Sequence, residues 1–181
     1  MAWSQHQSGV LRGMATGAVA TFLSLAWAIR ANPFGLADQA PLAQRLTLGL
    51  AADLGLALWL AGSIGLMARQ RFVSAVDLVG SGLSVASQRA RILQALLQNN
   101  LEQISLAVLV HLLWIVLMPP SSLAAVPMAA ALCLLGRLCF SWGYGKGAAA
   151  RSLGFALSFY SSVWLLVLMA GGLVIRPLWP G

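Results

Sequence analysis

Five long apolar stretches alternate with short connections that are polar or rich in glycine and proline. Each stretch contains the ~20 residues that an α-helix needs to cross about 30 Å of hydrocarbon. The pattern therefore predicts five membrane-spanning helices, at about residues 9–29, 46–67, 90–118, 123–144 and 152–175.

The first apolar stretch has two interpretations, a retained helix or a cleaved signal peptide. Its apolar part, residues 13–29, exceeds the usual signal-peptide length of about 7–15 residues, and Arg30 follows almost at once. We therefore favour a retained helix. Gly13, Gly17 and Thr21 form a ridge of small residues along it, and such a ridge predicts close packing against another helix.

Composition agrees with this pattern and excludes a soluble globular domain. The chain is 60% hydrophobic and 8% charged, with a mean hydropathy of +0.84. Its net charge of +7 would suit nucleic acid. The basic residues flank the apolar stretches, however, where membrane topology and anionic lipid headgroups account for them. We predict an integral membrane protein with the lipid bilayer, and not nucleic acid, as its partner.

The distribution of basic residues predicts the orientation in the membrane. With five spans, the N-terminus and the second and fourth connections lie on one side, which holds seven basic residues against three on the other. The positive-inside rule then puts the N-terminus in the cytoplasm and the C-terminus outside, in an inner or cytoplasmic membrane. The first group is Arg12, Arg69, Arg71, Arg89, Arg91, Lys146 and Arg151, and the second is Arg30, Arg45 and Arg176.

The third apolar stretch contains an unexpected polar segment, Gln98-Asn99-Asn100-Leu101-Glu102-Gln103. Amide and carboxylate groups in hydrocarbon cost several kcal/mol unless each finds a partner. Asn99 and Glu102 are three residues apart and share a helix face. We therefore expect this face to contact protein or a polar cavity.

The fourth apolar stretch supplies a partner for that face. Arg137 is followed by Tyr144 two turns later, and Arg151 lies seven residues beyond. The depths of Glu102 and Arg137 differ by only a few residues' rise, so we predict that they form an ion pair. Such a pair has two interpretations: it fixes the helices together, or it belongs to a site that binds a small zwitterionic or anionic ligand.

These residues together resemble the MAPEG superfamily, the membrane-associated proteins of eicosanoid and glutathione metabolism. Family members carry Asn-x-x-Glu on one helix, Arg-x-x-Tyr-x-x-x-Tyr near the end of the next, and an arginine seven residues later. The resemblance covers roughly residues 46–175. It implies a four-helix bundle in residues 44–181, assembled as a homotrimer, and leaves residues 1–43 as an additional N-terminal transmembrane helix and loop.

The resemblance also implies a function. Asn99, Glu102, Arg137 and Tyr144 match residues that bind glutathione as co-substrate between neighbouring subunits, and Arg151 matches the arginine that activates its thiol. The implied activity is a glutathione-dependent transferase or peroxidase acting on a lipophilic small molecule, an electrophile or hydroperoxide. The alternative is a non-catalytic relative that binds a lipid or a partner.

Two positions depart from the family pattern. Ala95 stands where the family has an arginine four residues before the asparagine, and Phe140 replaces the first tyrosine of the later motif. Arg91, one turn further out, is a candidate substitute for the missing arginine. Both departures concern the binding of glutathione.

The remaining polar residues give weaker signals. Cys133 and Cys139 point about 120° apart on a helix, so we expect no disulfide, and with His6 and His111 they make no metal site.

His111 is interpreted as a packing or interfacial residue. Asp53 needs a partner that the sequence does not identify. A small transporter that uses Asp53 and Glu102 as proton acceptors is a third hypothesis.

Overall fold

The computed structural model describes residues 5–37, 39–80, 83 and 85–175, and within them all regular structure is helical. Every one of the five long helices is long and apolar enough to cross a membrane, which confirms the predicted fold class. They are α1 (Gln5–Ala31), α2 (Leu42–Val73), α3 (Gln88–Leu117), α4 (Ala125–Gly143) and α5 (Ala148–Ile175).

The helix bounds follow the predicted ones closely except in α2. This helix begins directly after Pro41 and extends to Val73, beyond the predicted 46–67, because strong helix formers occupy residues 42–45 and 68–71. Short 3₁₀ turns at Pro120–Ser122 and Tyr144–Lys146 connect α3 to α4 and α4 to α5. Arg176, one of the basic residues counted for the membrane orientation, and the side chain of His6 lie outside the described residues.

Helix α1 packs along α5 through the predicted ridge of small residues. A Cβ atom built on Gly13 would collide with Ser152, and one built on Gly17 would collide with Ala156. Thr21 is fully buried and donates its hydroxyl hydrogen to the Gly17 carbonyl at 2.8 Å. The small residues thus let the two backbones approach closely, as they do in other membrane helix pairs.

Helices α4 and α5 approach each other equally closely. A Cβ atom on Gly136 would lie 2.7 Å from the Gly154 carbonyl oxygen, and one on Gly154 would collide with the backbone of Phe140. This contact places Arg137 on α4 beside Ser158 on α5. The glycines therefore set the distance across which the polar residues of the two helices meet.

Helices α2 and α3 form the other side of the bundle. Leu56 on α2 is buried with Ile104 and Ala107 on α3 and Cys133 on α4. A polar contact also joins the two helices: Asn100 on α3 donates a hydrogen bond to the hydroxyl of Ser63 on α2 at 2.8 Å.

Candidate functional site

A cleft of about 530 Å³ opens between α1, α3, α4 and α5. Its volume lies in the range of small-molecule sites. The side chains around it are a mixture of polar, aliphatic and aromatic groups. The lining residues are Val10, Met14, Ala95, Gln98, Asn99, Glu102, Phe140, Tyr144, Ala148, Arg151, Ser152 and Phe155.

The polar lining residues of the cleft include four of the five predicted site residues. Asn99 and Glu102 come from α3, Tyr144 from the turn after α4, and Arg151 from the first turns of α5. The guanidinium carbon of Arg151 lies 4.8 Å from the centroid of the Tyr144 ring, so the ring holds the charged group by a cation–π contact. The structure therefore brings these residues to one site.

Arg137, the fifth predicted residue, lies behind the cleft rather than in its wall. Its side chain is fully buried. Nη1 donates a hydrogen bond to Asn99 Oδ1 at 2.5 Å, and Nη2 donates to the hydroxyl of Ser158. Its guanidinium carbon also lies 4.9 Å from the centroid of the Phe140 ring. Arg137 thus fixes the orientation of Asn99, which itself faces the cleft.

The predicted ion pair between Glu102 and Arg137 is wrong. Residues three apart on a helix point about 60° away from each other, so Asn99 faces α4 while Glu102 is turned outward. Glu102 is exposed on the bundle surface and accepts a hydrogen bond from Gln98 Nε2 at 2.9 Å. Asn99 therefore takes the guanidinium that we assigned to the carboxylate.

The charge of Arg137 has neutral partners only. Among the described residues no carboxylate lies within ion-pairing distance of its guanidinium, and its Nε atom is buried without a hydrogen-bond partner. A buried charge in a low-dielectric interior acts over a longer distance than an exposed one. Together with Arg151 it places two guanidinium groups at or behind the cleft against the single carboxylate of Glu102, which favours an anionic group.

Both departures from the family pattern lie in the wall of the cleft. Ala95 and Phe140 line it directly, so the missing guanidinium and the missing hydroxyl would both have faced this space. Arg91 does not line it. It lies instead in an adjacent cleft of about 420 Å³, which shares Ala95 and Gln98 with the first.

The structure adds residues that the sequence argument missed. Ser158 bonds to Arg137, and the signal for it was its position seven residues after Arg151, on the same face of α5. Val10 and Met14 bring α1 into the cleft, and no local pattern indicated this contact. Among the described residues, no cluster of three or more His, Cys, Asp or Glu side chains is placed to hold a metal ion.

Asp53 and His111, the two other polar residues singled out in the sequence, pair with each other. Nδ1 of His111 lies 2.7 Å from Oδ1 of Asp53, which identifies the missing partner of the aspartate. His111 is fully buried, so it is a packing residue and not an interfacial one. Both residues lie apart from those that line the cleft.

Three comparisons with known proteins bear on the family to which the chain belongs. A comparison with curated proteins and one with solved structures produced no match. The model of the MAPEG family matches residues 48–171, which covers α3 and α4 and most of α2 and α5 and excludes α1. The chain therefore belongs to the MAPEG family, as a four-helix bundle preceded by one additional transmembrane helix.

Proposed function

We propose that the protein is a glutathione-dependent transferase or peroxidase that acts on lipophilic electrophiles, and that it works as a homotrimer in an inner or cytoplasmic membrane. In this proposal the N-terminus lies in the cytoplasm and the C-terminus outside, as the basic residues indicate. Family membership supports the proposal, and the contents of the cleft give it chemical detail.

The observation that carries the proposal is the position of Arg151. Its guanidinium enters a cleft whose other charged lining residue is Glu102, and the ring of Tyr144 holds it in place. A guanidinium beside a bound thiol favours the thiolate, because opposite charge stabilises the ionised form. The thiolate is the reactive nucleophile, so Arg151 is the proposed catalytic residue.

The remaining residues would hold the peptide part of glutathione. The amide of Asn99, fixed from behind by Arg137, offers hydrogen bonds at a defined angle. Glu102 is suited to the ammonium group of a zwitterionic peptide, and the buried charge of Arg137 favours a carboxylate nearby. The phenol of Tyr144 is a further donor at the same wall.

The transfer reaction needs no other cofactor. The thiol proton passes to water, and the thiolate sulfur bonds to the β carbon of an α,β-unsaturated carbonyl compound while the electron pair of the double bond moves towards the carbonyl oxygen. A proton from water then returns to the α carbon. In the peroxidase variant two glutathione thiols become one disulfide, and the hydroperoxide is reduced to an alcohol and water.

The test is a titration of the purified full chain with glutathione, followed by the ultraviolet absorption of the thiolate. We expect a thiolate band that saturates with glutathione, and Arg151→Ala should abolish it. Arg91→Ala is the matched control, because this arginine lies in the adjacent cleft, and it should keep the band. The absence of a band at saturating glutathione would contradict the proposal.

One observation favours the second candidate function, a non-catalytic relative that binds a lipid or a membrane partner. Ala95 and Phe140 remove a guanidinium and a hydroxyl from the wall of the cleft. In that case the polar face of α3 joins subunits. Glu102→Gln should then weaken the oligomer, and there is no glutathione-dependent activity for it to lose. Light scattering in detergent that shows unchanged trimers after this substitution would count against it.

A further inference from the structure

We propose that the additional helix α1 determines which electrophile the cleft accepts. Met14 and Val10 form the wall that contacts the apolar chain of this electrophile. The inference rests on the proposed function and adds the substrate class: an electrophile with a long alkyl chain. Both residues line the cleft directly. They belong to the part of the chain that precedes the MAPEG match at residues 48–171.

The wall is rigidly attached to the rest of the site. Gly13, the residue before Met14, lies against Ser152 on α5, one position from Arg151. Further along the helix pair, Trp164 Nε1 donates a hydrogen bond to the Ala18 carbonyl at 2.9 Å. The position of Met14 relative to the proposed catalytic arginine is therefore fixed by the contact between α1 and α5.

The helices around the cleft contribute different kinds of side chain. Helix α3 contributes the polar residues Gln98, Asn99 and Glu102. Met14 and Val10 on α1 contribute aliphatic surface only, and α5 adds the aromatic ring of Phe155 as well as polar side chains. A cavity of this kind fits an amphipathic arrangement of ligands, in which a polar peptide lies on α3 and an alkyl chain lies on α1.

The side chain of Met14 is suited to such a role. It is half-buried, so part of its surface is available to a ligand. An unbranched thioether adapts to chains of different shape and makes favourable contacts with aromatic rings and aliphatic groups. Leu11, three residues earlier, is 52% exposed and does not line the cleft, so it provides a matched control on the same helix.

The experiment compares two electrophiles of the same reactivity, trans-2-hexenal and trans-2-dodecenal. Met14→Trp places an indole in the space that the longer chain would occupy. We expect the KM for dodecenal to rise about tenfold or more, as for other changes to an apolar pocket. The KM for hexenal and the Kd for glutathione should stay within about twofold, because the polar lining residues are unchanged.

Two further variants make the result decisive. Leu11→Trp should leave both KM values unchanged, while Met14→Gln, which keeps the length of the side chain but makes it polar, should raise the KM for dodecenal only. A Met14→Gln protein that binds glutathione and keeps the wild-type KM for both alkenals would overturn the inference.

A second measurement does not depend on glutathione. A dodecanoate analogue with a terminal diazirine should cross-link, on irradiation, to the peptide that contains Met14, and excess dodecanoate should remove this product. The product should persist in Leu11→Trp and weaken several-fold in Met14→Trp. If the wild type binds no glutathione, the proposed function fails while this result still supports the apolar wall. A cross-link that dodecanoate does not compete away overturns the wall itself.

Discussion

His111 on α3 and Asp53 on α2 form a buried pair in the interior of the bundle, with 2.7 Å between Nδ1 and Oδ1. The residues are separated by 58 positions in the chain. His111 is fully buried and Asp53 nearly so. The pair thus joins two helices at a point where both side chains are buried.

We expect the pair to stabilise the bundle only as a pair. Asp53→Leu or His111→Leu leaves one buried polar group without its partner, and each should lower the free energy of unfolding by about 1–3 kcal/mol. The double substitution should recover part of this loss, because no unpartnered group remains. Unfolding in detergent provides the measurement, with the exposed Leu54→Ala as control. Single variants as stable as the wild type would contradict a structural role for the pair.

A second prediction concerns the acceptor of Arg137. Asn99→Ala removes the oxygen that lies 2.5 Å from Nη1 and leaves the buried guanidinium with Ser158 as its hydrogen-bond partner. We expect a loss of about 1–3 kcal/mol in stability and weaker binding of glutathione. Asn99→Asp, which keeps an acceptor oxygen, should restore stability. Gln98→Ala changes an exposed amide and serves as control. Equal melting temperatures for Asn99→Ala and Gln98→Ala would refute the prediction.

A third prediction concerns the close contact between α1 and α5. Gly17→Leu places a branched side chain where even a single carbon would collide with Ala156. We expect the two helices to separate, with a loss of about 1–3 kcal/mol in stability. Ala15→Leu, on the exposed side of α1, should be neutral. Thermal unfolding in detergent distinguishes the two, and a Gly17→Leu protein with the wild-type midpoint would show that α1 does not depend on this contact.

The connection between α2 and α3 yields a prediction about pH. Asp77 is buried there and accepts hydrogen bonds from Gln70 at 3.0 Å and from the backbone and hydroxyl of Ser87 at 2.8 and 2.7 Å. The hydrogen bond from Gln70, followed by those from Ser87, holds the pKa of Asp77 well below its ordinary value of 3.8.

A depressed pKa in the folded state means that the carboxylate stabilises the fold above pH 3.8 and that this contribution is lost as the pH falls through the lower, folded-state pKa. Asp77→Asn should therefore lower the melting temperature at about pH 7. The difference in melting temperature between variant and wild type should become smaller only when the pH falls below the ordinary pKa of an aspartate. Melting curves across this range provide the test. A difference that disappears well above that pKa would identify another group as its cause.

Much of the fold was predictable because membrane spans have a strong and local signal. A run of about twenty apolar residues identifies each membrane-spanning helix. The ridge of Gly13 and Gly17 indicated a close contact with another helix, although it did not identify that helix. Asn99, Glu102, Tyr144 and Arg151 were expected at one site from their helix faces and depths, and they line one cleft.

The errors concern the rotation of helices about their own axes, which depth does not determine. Arg137 was at the right level for Glu102, yet Asn99 faces it. The same limit left Asp53 without a partner, since His111 lies on another helix and no spacing rule connects them. The contribution of Met14 depends on which helix α1 packs against, and the chain pattern alone did not contain that information.

The pairing of α1 with α5 has a consequence for biogenesis. Gly17 on α1 is synthesised long before Ala156 on α5, so α1 has its packing partner only after α2, α3 and α4 have been made. Contacts between distant parts of a chain form late because the intervening loop must close first. A ribosome-bound intermediate that has inserted α1 to α4 would therefore contain Asn99 and Glu102 without Arg151 opposite them. The site is completed only when α5 is added.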